Sequence, residues 1–68
     1  MVVGCTYADG PSTRENRDMF IYRGIRDYEG RDCIVMEPLG DTVYSREDDG
    51  MCLFMLESGI FFHLVEGK

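Results

Sequence analysis

Met51-Cys52-Leu53-Phe54-Met55-Leu56-Glu57-Ser58-Gly59-Ile60-Phe61-Phe62-His63-Leu64-Val65 is the stretch on which the fold turns. Two unbroken apolar runs flank the polar break Glu57-Ser58-Gly59, and the pattern predicts a β-hairpin with apolar residues on both faces. A strand that wets one face alternates apolar with polar residues. These runs do not alternate, so something beyond the hairpin must cover its second face.

Loop length sets register, and register sets which side chains share a face. A three-residue loop with Gly59 in the left-handed region places Leu56 opposite Ile60, Phe54 opposite Phe62 and Cys52 opposite Leu64. Those residues, with Val43, form the expected core face. Met51, Leu53, Met55, Phe61, His63 and Val65 form the other, and counting back through the Asp48-Asp49-Gly50 turn adds Tyr44 and Arg46 to it. Unbranched Met adapts to irregular partners, and Tyr, Phe and Arg are types that carry binding energy at interfaces. Tyr44, Arg46, Met51, Leu53, Met55, Phe61 and His63 are therefore the candidate protein-binding residues. The alternative is that residues 1–18 fold over this face and make it ordinary core.

Moving outward, turn chemistry recurs about every ten residues, the rhythm of a small antiparallel sheet. Tyr28-Glu29-Gly30, Pro38-Leu39-Gly40-Asp41 and Asp48-Asp49-Gly50 separate β-rich runs at Met19–Ile25, Arg31–Glu37 and Thr42–Arg46. Met1–Tyr7 reads as a further strand. Ser12-Thr13-Arg14-Glu15 matches a capping box and predicts one short helical turn near the N-terminus. The expected fold is all-β: about five strands in an antiparallel meander, closing as an SH3-like barrel or packing as a two-layer sheet. Residues 1–68 form one domain, with an N-terminal strand and loop over 1–18 and the meander over 19–65.

Size and charge narrow the function. A chain of 68 residues buries only about 60% of its unfolded surface, which leaves a thin stability margin and little room to enclose a small-molecule pocket. Apolar residues at 44%, with four Tyr and four Phe, exclude a disordered acidic tail. The net charge of −6 repels phosphate backbones and anionic lipid, so direct nucleic-acid or membrane binding is not expected. Met1-Val2-Val3-Gly4 carries no basic segment leading into a long apolar stretch, and the expected location is cytoplasmic.

No residue set carries catalytic or metal chemistry. Cys5, Cys33 and Cys52 form no close pair and sit in or beside apolar runs, as buried reduced thiols do. Together with His63 they match a zinc ligand count, but zinc sites draw ligands in close pairs from tight turns. A nucleophile and base formed by Cys52 and His63 needs the two side chains to meet, and the expected register puts them on opposite faces. Glu47-Asp48-Asp49 lacks the alternating acids of a calcium loop. Neither a catalytic site nor a cofactor is expected.

The sequence thus points to a non-enzymatic protein-binding module, a small acidic accessory or inhibitory protein that docks on a larger protein or pairs with itself. The alternative from another class is an acidic nucleic-acid mimic that blocks the basic groove of a DNA- or RNA-processing enzyme, with Glu47, Asp48, Asp49, Glu57 and Glu66 gathered on one face.

Overall fold

β-Branched and aromatic residues, interrupted by glycine and proline at the turns, commit the chain to strands. The computed structural model describes residues 1–10, 18–56 and 62–67. It contains β1 (Thr6–Asp9), β2 (Met19–Tyr28), β3 (Arg31–Pro38), β4 (Cys52–Met55) and β5 (Phe62–Glu66). All five belong to one antiparallel sheet in the order β4-β3-β2-β1-β5. The fold is all-β, and no helix occurs among the described residues. The expected helical turn at Ser12–Glu15 lies outside the described residues.

The β2–β3 hairpin is pinned by a two-residue loop in which Glu29 (φ 53°) and Gly30 (φ 83°) are both left-handed. That is the turn whose twist matches paired strands, and it sets Tyr28 opposite Arg31. Further along, the pairing slips between Tyr22 and Gly24, where Gly24 adopts φ 110°. This bulge bends β2, which pairs with β1 at one end and with β3 along its length. Val3 Cγ2 lies 4.0 Å from where a Gly24 Cβ would stand, so space is not the obstacle to a side chain there; the backbone conformation is. Gly24→Ala should cost about 1–2 kcal/mol in urea unfolding; an unchanged midpoint would show that the bulge does not need this φ.

Curvature is visible in the aromatic rings. Flat strands lie about 4.8 Å apart, so residues on the two edge strands of a five-strand sheet would be about 19 Å apart. Yet the rings of Phe54 on β4 and Phe62 on β5 stand 5.2 Å apart, edge to face. Phe20, fully buried at the middle of the sheet, touches both at 5.8 Å. The sheet curls around Phe20, and Cys5, Tyr7, Tyr22, Ile34, Met36 and Cys52 complete the core. The curl stops short of closure, since β4 and β5 form the two edges and do not pair with each other.

That arrangement corrects the expected hairpin over Met51–Val65. β4 pairs with β3, from Met36 opposite Cys52 to Cys33 opposite Met55. β5 crosses to β1, with Tyr7 opposite Leu64 and Asp9 opposite Phe62. The physical gain is that both edge strands deliver a ring to the same core, which a flat local hairpin would not do. The facing of individual residues survives, because alternation belongs to each strand and not to its partner. Cys52, Phe54 and Phe62 point inward as expected, whereas Leu64 shares Tyr7's side of the sheet but lies at its open margin, 58% exposed.

Thr42–Arg46 is the second correction, for it forms no strand. The carboxyl of Asp18 accepts hydrogen bonds from the Thr42 hydroxyl (2.6 Å) and the Val43 amide (3.3 Å), and this draws the segment into an irregular loop. Val43, expected in the core, is left 87% exposed.

Candidate functional site

The residues proposed as one binding face are distributed by this topology over three places. Met51, Leu53 and Met55 remain together on or beside β4, with Leu53 and Met55 on the outer side of the sheet opposite Val35 and Cys33. His63 lies on β5, at the far edge of the sheet. A curl that brings inward residues of the two edges together drives outward residues apart, so His63 is carried away from Leu53 and Met55. Phe61 lies outside the described residues.

Tyr44 turns inward. Its ring packs against Phe54 at 4.9 Å and Phe20 at 6.1 Å, and its hydroxyl donates to Asp9 Oδ2 at 2.9 Å. Facing rules for strands do not govern a loop, so the count that put Tyr44 outward failed once Thr42–Arg46 proved irregular. Arg46 is exposed and donates through Nη2 to the Gly40 carbonyl at 2.6 Å, which closes the loop on itself.

Asp9 is the buried polar centre of the structure. Besides Tyr44, it takes the Asp18 amide on Oδ1 at 3.0 Å, while Asp18 holds Thr42 and Val43 as described. A chain of acceptors and donors thus links β1, the start of β2 and the loop after β3 beneath the aromatic core. Sequence reading missed Asp9, because Ala8-Asp9-Gly10-Pro11 has the composition of an exposed turn.

His63 Nδ1 lies 2.6 Å from the Gly10 carbonyl, which can only accept, and so donates to it. Nε2 is buried and, among the described residues, meets no hydrogen-bond partner. Cys52 sits on the inward side of β4 while His63 neighbours inward-facing Phe62 on β5, so the two occupy opposite faces. Burial pushes the Cys52 thiol up, away from the thiolate that a nucleophile requires. All three cysteines are buried as free thiols, and no cluster of metal-ligating side chains occurs among the described residues.

The surface that remains is the β4 edge. Met55 is 37% exposed and Leu56 56% exposed, with Leu53 half-buried between them and the body of the sheet. Behind them the outer face is sealed at Cys33 and Val35. Arg31 Nη1 approaches Met55 Sδ at 3.7 Å, so a cation borders one end of the strand. At the other end stands the acidic turn Glu47–Gly50. Its Asp49 Oδ1 accepts the Met51 amide at 3.0 Å, and the Glu47 amide donates to the Met51 carbonyl at 2.7 Å. The Met51 amide, and then Arg26 at 2.9 Å, hold the Asp49 carboxyl below its usual range. Leu56 and Arg31 were not among the sequence candidates. Leu56 was expected on the core face opposite Ile60 and is instead exposed, because β4 and β5 do not pair, while Arg31 becomes a neighbour only through the β3–β4 register.

Val2 and Val3, Ile25 on β2 and Leu64 on β5 are exposed apolar residues elsewhere on the surface. No helix among the described residues is long and apolar enough to cross a membrane. No family model, curated protein or solved structure matches the chain.

Proposed function

We propose that this chain is a non-enzymatic protein-binding module that docks through the outer side and free edge of β4. The observation that carries the reading is an edge strand with exposed apolar residues at its end and just beyond it: Met55 and then Leu56, backed by Leu53 and bordered by Arg31. Among the described residues no backbone group pairs with the outer edge of β4. An edge of that kind is a template on which another chain can add a strand, with side-chain pockets supplying specificity. The architecture we favour is an SH3-like barrel, supported by the curl that brings rings from both edge strands onto Phe20.

The test is capture of a partner from an extract of the native host by wild-type protein and by Met55→Glu. The variant places a charge on an exposed position and should keep the wild-type melting temperature while losing the captured partner. Equal capture by both would overturn the reading. Repeating the capture at about 0.5 M salt separates the acidic-mimic alternative. Docking led by apolar contacts persists there, while docking led by Glu47, Asp48 and their neighbours is screened away.

A further inference from the structure

We infer that the occupant of the β4 edge is a second copy of this chain, paired antiparallel through β4 about a two-fold axis at Leu53, so that one sheet runs continuously across two molecules. This rests on the β4 edge being the docking surface and names what docks there.

The two edges of the sheet differ in how they are guarded. β5 pairs irregularly with β1, slipping between Thr6 and Tyr7, and it carries Glu66. Bulges and charges of that kind discourage strand addition. β4 has neither. Its residues Cys52-Leu53-Phe54-Met55 include no charge and no proline, and they pair with β3 without a slip.

β4 is also its own best complement. With the axis at Leu53, Met51 of one copy lies opposite Met55 of the other, and Cys52 lies opposite Phe54. Each pair joins residues of the same facing, so the inward and outward sides of both sheets run on without a break. Shifting the axis to lie between two residues would set inward side chains against outward ones.

Charge fixes the direction. Arg31 sits beside Met55, and the turn that carries Glu47, Asp48 and Asp49, its Asp49 already paired with Arg26, folds back on Met51. Antiparallel pairing brings the cation of each copy toward the acidic turn of the other, twice by symmetry. A parallel arrangement would set acid against acid and Arg31 against Arg31. With a net charge of −6 on each chain, that difference decides between them, because two such molecules otherwise repel.

Sedimentation of the full chain from low-micromolar to near-millimolar concentration should show a reversible monomer–dimer equilibrium. Opposite Cα atoms in an antiparallel pair lie about 4.5–5.5 Å apart, within disulfide reach. Leu53→Cys should therefore oxidise to a covalent dimer while the wild type, with its buried thiols, does not. Arg31→Glu should weaken association about tenfold, and adding Asp48→Arg should restore it. A chain that stays monomeric throughout, or a dimer that Leu53→Cys fails to cross-link, would overturn the proposal. Should the protein stay monomeric while Met55→Glu still abolishes capture from extract, self-pairing falls and the docking surface stands.

Discussion

Phe20→Ala is expected to abolish the cooperative unfolding transition, leaving a chain with little fixed tertiary structure at room temperature. Phe20 is completely buried, and its ring touches Tyr44, Phe54 and Phe62, which come from the loop after β3 and from both edges of the sheet. Removing a buried Phe costs about 3–5 kcal/mol, through lost transfer energy and the cavity left behind. At about 0.05–0.15 kcal/mol per residue, the whole chain has on the order of 3–10 kcal/mol to lose. The site cannot collapse cheaply, because Phe54 and Phe62, already in contact with each other at 5.2 Å, are each anchored on an edge strand held by its own pairing. Urea titration followed by near-ultraviolet circular dichroism of the tyrosines would read the effect. Phe20→Leu, which keeps most of the volume, should retain a transition at lower urea. A loss below about 1 kcal/mol for the Ala variant would mean that the sheet is not organised around this ring.

Most of what makes the chain all-β is local and therefore legible. The turn at Tyr28–Arg31 announces itself through Glu29-Gly30, and its hairpin forms where expected. Side-chain facing along β4 and β5 is likewise local, which is why Cys52, Phe54 and Phe62 reach the core even though the strands pair elsewhere. Which strand β5 joins is not local. The three-residue break before Ile60 suits a hairpin, and nothing in that stretch reports that β1 offers an edge. The choice depends on where Phe20 sits, which only the assembled sheet defines.

The candidate site divides along the same line. Met51, Leu53 and Met55 stay together because they share one strand, so strand alternation alone is enough to group them. His63 and Tyr44 were grouped with them through a β4–β5 pairing and a strand over Thr42–Arg46 that do not form, and each is used structurally instead. His63 ties β5 to the Gly10 carbonyl. Some of the acids are also paired: Arg23 with Glu37 and Arg26 with Asp49 neutralise part of the field on which a nucleic-acid mimic would depend.

Tyr44→Phe separates the two roles that this residue could hold, and the structure makes the outcome definite. Were Tyr44 an interface residue, removing its hydroxyl would weaken binding and leave stability unchanged. Its hydroxyl instead donates to the buried carboxyl of Asp9 at 2.9 Å, beneath a core that admits little water. A hydrogen bond to a charged group contributes about 1.5–3 kcal/mol, and leaving the buried acceptor short of a donor draws on the upper part of that range. For a domain of this size, about 1 kcal/mol shifts the melting temperature by about 4–8 °C, so a fall on the order of 10 °C is expected. The ring contacts with Phe20 and Phe54 remain, so the loss reports the hydroxyl alone. Asp9→Ala removes the acceptor for both Tyr44 and the Asp18 amide and should cost more than Tyr44→Phe. Combined, the two substitutions should cost less than their sum by about 1–2 kcal/mol, the coupling expected of groups in one network. Strict additivity, or a Tyr44→Phe variant as stable as the wild type, would show that the loop after β3 is not held to β1 through this bond. In either case the ring contacts with Phe20 and Phe54, together with the acceptor chain through Asp18 and Thr42, would keep Tyr44 against the core.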